Sequence, residues 1–427
     1  MIFPHSFSSL QQHTAESFTA AIEQGAGIIE CDVAVTKDGE LVCRHAQCDL
    51  HTTTNILGNP ALAAKCTTAF TPATATTGAS ARCCTSDITL AEFKTLTGKM
   101  DASDKTATTA TAYMGGTADF RTDLYVSGKS GTLVTHAQSV ALIKKYNRKA
   151  TPELKTYTPG PGMPTYDAIR AKVVRDYTDA AFPAANVWLQ SFNYPDVEYW
   201  VRNGDAFGRQ AVLLDGNYTD GTTVGMDESN PSKAIGLPNF VALKAAGFNW
   251  IAPPQQMLLK NAAGKFAPSD YAKAAKAAGM NIIAWTLERS GHLASGGGWY
   301  YSSVNALINN DGDMMEMMHV LHAEVGVKGV FSDWPATTTF YANCMIKKEI
   351  SPCTNNPSTP ISVGPRPRFL VGSERCHSES ISPSLERVVH ASCRISSMTP
   401  PRVLRIFYSR RIESLESFCA KGFRARG

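Results

Sequence analysis

The chain has 427 residues, enough for one large domain with long excursions or for two to three domains of average size. Its formal charge of +4 is unevenly distributed: residues 341–427 carry 14 basic and 6 acidic side chains, which leaves 27 basic and 31 acidic ones in residues 1–340. This distribution gives no reason to expect nucleic-acid binding by the main body. No apolar run reaches the roughly 18 residues of a membrane span, so we expect no transmembrane segment.

The first 25 residues predict one helix and no export signal. Residues 1–5 lack the basic, apolar and small-residue zones of a secretory signal peptide. From His13 the pattern predicts a helix that ends at Gly25, with Thr14 or Ser17 near its N-terminus.

Two carboxylates stand on the next predicted strand, Ile28–Val35. Because strand side chains alternate between faces, Glu30 and Asp32 project together while Cys31 points the other way. The solvated face of an ordinary hairpin is one explanation. The apolar neighbours favour instead a strand buried on both faces, as in parallel sheets. Buried acids this close repel each other, so a cation or a proton is expected between them.

A histidine follows this strand at short range. Asp38-Gly39 predicts a tight turn, and Leu41–His45 a returning strand that carries His45 towards the two acids. Its unperturbed pKa near 6.5 makes His45 the candidate for proton transfer. A structural role is the alternative, since the chain has nine other histidines and His51 follows closely.

Residues 47–131 predict an insertion or small lobe, because the pattern is loose and rich in Thr, Ala and Gly. Four cysteines of this segment suggest disulfides and hence an extracytoplasmic protein, with three pairings possible; four unrelated thiols are the alternative. These are Cys48, Cys66, Cys83 and Cys84. The glycosylation sequon at Asn217 points weakly the same way.

Strand-like and helix-like segments then alternate with the spacing of βα units. They are strand Lys149–Lys155, helix Tyr166–Ala180, strand Val187–Phe192, helix Pro195–Asn203, strand Gln210–Asp215, helix Ser232–Ala246, strand Trp250–Pro254, helix Ser269–Gly279, strand Asn281–Leu287, helix Asp311–Val325 and strand Gly329–Asp333. With the acid-bearing strand this gives seven strands, and eight would close a (β/α)₈ barrel. The missing strand should precede the first helix, where only residues 1–4 remain. We therefore expect an α/β TIM barrel with an incomplete first strand.

Residues 341–427 break this alternation. They contain 14 Ser, 8 Pro and no Asp, and they show no sustained hydrophobic period. We expect a disordered basic tail after a barrel domain at 1–340. The tail is either an interaction segment or translated sequence that was never selected to fold.

A second strand repeats the pairing of polar residues. Glu153 and Lys155 are two residues apart and face the same way, so three carboxylates and one ammonium group could converge at the strand ends. An all-oxygen site of this kind suits Mg²⁺ or Ca²⁺ better than zinc, and the cation with the lysine would receive a phosphate. A surface ion pair is the alternative. Phe192 and Trp285, at two other strand ends, belong to the barrel core or line a substrate pocket.

These residues, in this order, resemble the glycerophosphodiester phosphodiesterase family over about residues 11–341. The segments that carry the resemblance are His13–Phe18, Ala20–Ala26, Ile29–Val33, Thr36–Gly39, His45, Thr53–Asn55, Pro152–Lys155, Gln190–Phe192, Trp285-Thr286 and Phe331–Pro335. The resemblance implies a (β/α)₈ barrel with an insertion after its second strand. It also implies metal-dependent hydrolysis of small glycerophosphodiesters to glycerol 3-phosphate and an alcohol.

By position in the family pattern, Glu30, Asp32 and Glu153 would bind the divalent cation and Lys155 the phosphate. His45 would be one of two acid/base histidines, and Phe192 and Trp285 would pack against the substrate. The family opens with a strand ending in His-Arg-Gly, shortly before a Pro-Glu-(Asn/His)-Thr motif. Here that motif reads Gln11-Gln12-His13-Thr14, and no His-Arg-Gly precedes it.

His5 is the candidate substitute for the missing first histidine, and the arginine has no equivalent upstream. This is either a real divergence or the sign of a sequence start that omits the first strand and a secretion signal. Two other readings stay open beside the hydrolase: a phospholipase-type phosphodiesterase acting on lipids, and a truncated barrel that binds cation and phosphate without turnover.

Overall fold

The computed structural model describes residues 3–6, 13–116, 131–216 and 240–346, and of residues 3–6 it describes the backbone. The Asn217 sequon and residues 232–239 of one predicted helix lie outside these ranges. Fifteen strands occur within the described residues. They are β1 (Phe3–Ser6), β2 (Ile28–Val35), β3 (Leu41–Cys43), β4 (Thr68–Thr71), β5 (Ser80–Arg82), β6 (Thr97–Gly98), β7 (Gly131–Thr132), β8 (Lys149–Leu154), β9 (Gln190–Ser191), β10 (Val212–Leu214), β11 (Trp250–Ala252), β12 (Leu259–Ala262), β13 (Lys265–Pro268), β14 (Asn281–Ala284) and β15 (Gly329–Ser332).

Eight parallel strands form one closed ring. Pairing runs from β1 through β2, β8, β9, β10, β11, β14 and β15, and β15 pairs again with β1. The ring interior is apolar and includes Ile28, Trp188, Val212, Ile283 and Phe331. The (β/α)₈ barrel expected from the sequence is therefore confirmed.

The first strand is short, as expected, but the barrel edge is not open. β1 pairs with β15 over all four of its residues and with β2 through His5 and Ser6. The eight-residue β2 extends beyond this neighbour, and the antiparallel β3 covers its remaining edge from Val33 to Val35. The incomplete first strand expected from the sequence is therefore present as four residues, and β3 takes over the edge of β2 that β1 does not reach.

Fourteen α-helices accompany the strands within the described residues. They are α1 (Ala15–Glu23), α2 (Leu50–Thr53), α3 (Pro60–Ala63), α4 (Leu90–Phe93), α5 (Ala110–Tyr113), α6 (His136–Lys145), α7 (Tyr166–Asp179), α8 (Tyr194–Asn203), α9 (Asp205–Gly208), α10 (Phe240–Ala245), α11 (Gln255–Leu258), α12 (Asp270–Ala277), α13 (Asp311–Val320) and α14 (Pro335–Tyr341). One helix follows each ring strand in the chain: α1, α6, α7, α8, α10, α12, α13 and α14. None of these helices is both long enough and apolar enough to cross a bilayer.

The turn between β2 and β3 shows why the sequence folds as it does at the site. Thr36 N donates to Glu40 O at 3.0 Å, and Thr36 Oγ1 donates to Asp38 Oδ1 at 2.6 Å. Gly39 has a φ of +80°, and a Cβ there would lie 2.7 Å from Pro164. A side chain at this position would therefore force the turn to move, which is why glycine stands there.

The predicted insertion follows β3 and packs as a small lobe with its own core, which includes Leu50, Ile88, Phe93 and Tyr113. Two disulfides cross-link it, Cys48–Cys84 and Cys66–Cys83. This is one of the three pairings that the sequence allowed.

A third disulfide in the described residues, Cys31–Cys43, joins β2 to β3 and was missed by the sequence analysis. Its two cysteines lie 12 residues apart, and Cys31 turns away from the face that carries Glu30 and Asp32. The bond ties the acid-bearing strand to its edge strand.

The described chain continues past residue 340 as the end of α14 and a π-helical turn, Ala342–Ile346. From residue 347 the predicted tail lies outside the described residues, so its disorder stays a prediction. A short hairpin, β12–β13, was not expected from the sequence.

Candidate active site

Three buried carboxylates meet on two neighbouring strands of the barrel. Glu30 and Asp32 lie on β2, and Glu153 lies on β8 directly opposite Asp32 in the parallel register. Each of the three residues is at most 5% exposed. One oxygen from each of the three lies within 4.8 Å of the others. The structure thus brings together the three acids that the sequence analysis selected.

Burial sets the electrostatics of this triad. It raises the pKa of Glu30 well above its ordinary value, and the neighbouring carboxylates of Asp32 and Glu153 raise it further. Burial likewise raises the pKa of Asp32, and it raises that of Glu153 to about 8. Three acids in this position therefore favour bound protons or a bound cation over three bare charges.

Lys155 is the cation that faces the triad. Its Nζ lies 2.6 Å from Glu153 Oε1 and 3.5 Å from Asp32 Oδ1. Burial alone would lower its pKa, but the carboxylates of Asp32 and Glu153 outweigh burial and raise it. Lys155 therefore stays charged, and its single charge offsets only part of the triad.

His13 contacts the triad from the loop before α1. Its Nε2 lies 2.9 Å from Asp32 Oδ2, and its side chain is buried. Burial, with Arg44 and Lys155 nearby, lowers the pKa of His13 well below its ordinary value. The contact is therefore a hydrogen bond from a neutral imidazole to a carboxylate, which fixes the orientation of Asp32.

Glu30 has one hydrogen-bond partner and one open oxygen. Gln190 Nε2, on β9, donates to Glu30 Oε1. Glu30 Oε2 is buried and makes no hydrogen bond within the described part of the chain. A buried acceptor of this kind, beside two further carboxylates, fits a hard divalent cation that takes oxygen ligands.

His45 lies at the end of β3, where it meets an arginine from another strand end. Arg289, which follows β14, places its Nη1 3.2 Å from His45 Nε2, and its Nε donates to Asp333 Oδ2 at 3.1 Å. Burial would lower the pKa of Arg289, but the Asp333 carboxylate, together with Tyr300, Asp101 and Asp32, outweighs burial and raises this pKa. Because arginine only donates, His45 Nε2 accepts in this contact and the imidazole is neutral there.

The two predicted substrate-binding aromatics touch each other at the barrel mouth. The rings of Phe192 and Trp285 lie 5.7 Å apart in an edge-to-face arrangement, and Phe192 is 44% exposed. Trp285 also packs on the barrel interior, and its Nε1 donates to Ala252 O at 2.7 Å. Of the two alternatives that the sequence left open, core packing is observed for Trp285, and pocket lining stays a prediction.

Comparison with known proteins identifies the family. The glycerophosphoryl diester phosphodiesterase family matches residues 4–337, most of the chain. The chain belongs to this family. Its members are phosphoric diester hydrolases, so the resemblance and enzyme class predicted from the sequence are confirmed.

Two relatives illustrate the match. A protein of Arthroderma benhamiae named "Extracellular protein" is 40% identical over 252 residues, which cover 57% of this chain and 99% of that protein. The crystal structure of a candidate glycerophosphoryl diester phosphodiesterase from Silicibacter pomeroyi aligns with a TM-score of 0.50 and 16% identity. That alignment covers 81% of this chain and 93% of the other, and it supports the same fold.

This phosphodiesterase lacks the opening motif that the resemblance leads us to expect. The backbone of His5 lies within β1, while its side chain lies outside the described residues, so its proposed role stays a prediction. Ser6 and Phe7 follow it where the family has Arg-Gly. Arg289, which follows β14, places a guanidinium beside His45 and Asp333. Sequence reasoning missed Arg289, and it also gave no role to His13 or Gln190, although both lie in segments that matched the family.

Without a cation, the phosphodiesterase should lose stability as the pH rises from about 5 to about 8. The raised pKa values of Glu30 and Glu153 mean that the folded state holds protons that the unfolded state has released, so the contribution of these two groups to stability is fully present below pH 4.5 and is lost as the pH rises through 8. Each proton that the folded state holds and the unfolded state has released lowers the free energy of unfolding by about 1.4 kcal/mol per pH unit. Thermal unfolding in the presence of a chelator, followed from pH 5 to pH 8, measures this loss of stability.

A divalent cation should restore stability, and most strongly at pH 8, where it has the fewest protons to displace within this range. The Glu153→Gln variant, which cannot titrate there, should show a flatter pH dependence in chelator. If stability fell with pH as steeply in Glu153→Gln as in the wild type, the assignment of these protons to the triad would be contradicted.

Proposed function

We propose that this chain hydrolyses glycerophosphodiesters to glycerol 3-phosphate and an alcohol, at a divalent cation held by Glu30, Asp32 and Glu153. One observation carries the proposal: three buried carboxylates and Lys155 converge inside a barrel of the glycerophosphoryl diester phosphodiesterase family. The chemical class of the reaction comes from the family, and the residues come from this geometry.

The donor set favours Mg²⁺ or Ca²⁺. The triad presents carboxylate oxygens without sulfur or imidazole, and hard cations prefer such ligands. When bound, a cation of this kind polarises the phosphoryl group and neutralises charge that develops there. Gln190 holds Glu30 and His13 holds Asp32, so the two ligands on β2 are oriented before anything binds.

Cationic side chains would receive the phosphate. Lys155 keeps its charge beside the triad, and Arg289 brings a second cation to the mouth of the barrel. Each would donate a hydrogen bond to a phosphate oxygen while keeping its ion pair with Glu153 or Asp333. Arg289 thereby takes the part that the family gives to the arginine missing after β1.

His45 would move protons at the reacting oxygens. The neutral ring would take the proton of the attacking oxygen at Nε2, once that oxygen replaces Arg289 there, and return it to the leaving alcohol. His5 remains our candidate for the second proton-transfer group. Phe192 and Trp285 would pack against the substrate at the mouth.

The protein would act outside the cytoplasm. Three disulfides occur in the described residues, and disulfides persist in oxidising compartments. The name of the Arthroderma benhamiae relative agrees with this location. We propose secretion on these two grounds.

Release of glycerol 3-phosphate from glycerophosphodiesters tests the proposal. We expect release with Mg²⁺ or Ca²⁺, loss of release in excess chelator, and recovery when the cation is added back. Binding of cation and phosphodiester without release would favour the non-catalytic alternative. Release confined to vesicles of phospholipid would favour the phospholipase-type alternative.

A further inference from the structure

One disulfide joins the strand that carries two proposed metal ligands to the strand that leads to the proposed proton-transfer group. Cys31 lies between Glu30 and Asp32 on β2. Cys43 ends β3, two residues before His45. The Cα atoms of the two cysteines are 5.4 Å apart, and both residues are buried. The bond therefore connects both halves of the proposed site.

The disulfide lies where the pairing of β2 and β3 ends. β3 pairs with β2 from Leu41 to Cys43, and the last pair joins Cys43 to Val33. Continued in the same antiparallel register, Cys31 stands level with His45. The disulfide thus runs diagonally, from the last pair of the ladder to the level at which His45 leaves it. It fixes the end of β3 from which His45 emerges.

Backbone hydrogen bonds also hold this end of β3, but each of them can open. Arg44 N donates to Asp32 O on β2 at 2.8 Å. Cys43 N donates to Val134 O, on the side away from β2, at 3.1 Å. A single backbone hydrogen bond adds little net free energy in water, and strand ends open locally. A covalent bond stays closed during such opening, so the disulfide limits how far β3 can move from β2.

The chain after His45 is held separately. The side-chain amide of Gln47 accepts from Val35 N at 3.1 Å and donates to Val35 O at 2.7 Å. Asp49 Oδ2 accepts from Ala46 N at 3.2 Å. These contacts attach the beginning of the insertion to β2 and to itself without the disulfide. Removal of the disulfide would therefore loosen the approach to His45 and leave the insertion in place.

Strand β2 is also held independently of this bond. It pairs with β8 over six residues and with β1 at its beginning. Gln190 donates to Glu30, and His13 contacts Asp32, so both ligands on β2 keep their orienting partners. Loss of the disulfide would thus displace β3 and His45 and not the triad.

Proton transfer makes the position of His45 critical. Its ring nitrogen must lie within hydrogen-bond reach of the reacting oxygen, and a displacement of about 1 Å can cost about 10²-fold in rate. We propose that the Cys31–Cys43 disulfide is a positioning element that holds His45 at its working distance from a substrate bound at the triad. The inference rests on the proposed function, in which His45 transfers protons.

Removal of one disulfide at a time tests the inference. We expect Cys31→Ala/Cys43→Ala to lower kcat/KM by about 10–100-fold, mainly through kcat and with KM within about threefold. The matched control is Cys66→Ala/Cys83→Ala in the insertion, which should stay within about threefold. Its cysteines are 17 residues apart, against 12 for the first pair, so its loss frees the longer loop and should cost at least as much stability. Both variants are assayed at a temperature at which thermal unfolding shows them folded. Equal activity of the two variants would refute the positioning role.

The His45→Gln background shows whether the bond acts through His45. There, removal of the Cys31–Cys43 bond should lower the remaining activity by less than about threefold, because both changes remove the same contribution. A second 10–100-fold loss in this background would contradict the inference. Calorimetric titration with Ca²⁺ or Mg²⁺ should give the same Kd with and without the bond. A Kd that rises as much as kcat/KM falls would assign the effect to the triad and refute the role proposed for His45.

A measurement without substrate separates this inference from the proposed function. If the wild-type protein hydrolyses no glycerophosphodiester, the proposed function fails, and nuclear magnetic resonance of the histidine rings still tests the positioning. The His45 signals, identified by their loss in His45→Gln, should shift or broaden in Cys31→Ala/Cys43→Ala and stay unchanged in Cys66→Ala/Cys83→Ala. Unchanged His45 signals in the first variant would overturn the inference.

A second replacement guards against a folding defect. If Cys31→Ala/Cys43→Ala does not fold, Cys31→Val/Cys43→Ala refills part of the buried volume and takes its place in each experiment. If neither variant folds at a temperature at which Cys66→Ala/Cys83→Ala is folded, the bond is a requirement of the fold, and the positioning role is refuted.

Discussion

Replacing Glu30 with glutamine is expected to reduce kcat/KM for glycerophosphodiesters by more than about 10²-fold. Losing a partner that merely orients a metal ligand already costs about 10–100-fold, and Glu30 is itself a proposed ligand. The amide keeps the shape of the side chain and its contact with Gln190, but it offers the cation a neutral oxygen in place of a charged one. Activity is measured against cation concentration, because weaker binding also shifts the half-saturating concentration upwards.

Glu40→Gln is the matched control, since Glu40 pairs with Lys172 outside the triad. It should stay within about threefold of the wild-type kcat/KM, in keeping with the small contribution of an exposed ion pair. The Glu30→Gln protein should keep its fold. Burial already raises the pKa of the Glu30 carboxyl group and so disfavours its charged form, and glutamine carries no charge. Wild-type activity in Glu30→Gln, at any cation concentration, would remove Glu30 from the metal centre.

Much of the triad could be predicted because strand geometry is local. The two-residue spacing of Glu30 and Asp32 on an apolar strand sufficed to place both on one face. Glu153 repeated that spacing with Lys155. The register that sets Asp32 opposite Glu153 depends on how β2 and β8 pair, which single-strand patterns do not encode.

The partners that orient the triad were beyond sequence reasoning for the same reason. His13 precedes Asp32 by 19 residues, and Gln190 follows Glu30 by 160. Both contacts exist only when the ring has closed. A search for polar residues at neighbouring strand ends would have singled out Gln190, since β9 pairs with β8.

The sequence did not show how so short a first strand completes the ring. Residues 1–4 looked too few to complete the barrel, but β3 pairs with the part of β2 that β1 does not reach. The same proximity of β2 and β3 brings Cys31 to Cys43. The antiparallel strand predicted after β2 therefore indicated both the covered edge of β2 and the disulfide. In the sequence analysis it served only to bring His45 towards the two acids.

His45→Gln is expected to reduce kcat/KM by about 10²–10⁴-fold, the usual contribution of one acid/base group. Its matched control is His51→Gln, in the neighbouring insertion, where the ring stacks on Tyr113 and accepts from Cys83 N. That variant should lose activity at most about threefold. A loss in His51→Gln as large as in His45→Gln would show that disturbance of the insertion, not proton transfer, explains both.

The pH profile separates a chemical role of His45 from a structural one. Arg289 donates towards His45 Nε2 at 3.2 Å, and a cation in that place disfavours the imidazolium. In Arg289→Gln the acidic limb of the kcat/KM profile should therefore move to higher pH, because His45 binds its proton more readily. The acidic limb of His45→Gln should not respond to the second substitution in the double variant. An equal shift in both backgrounds would mean that another group titrates, and His5 or a triad carboxylate would then be the base.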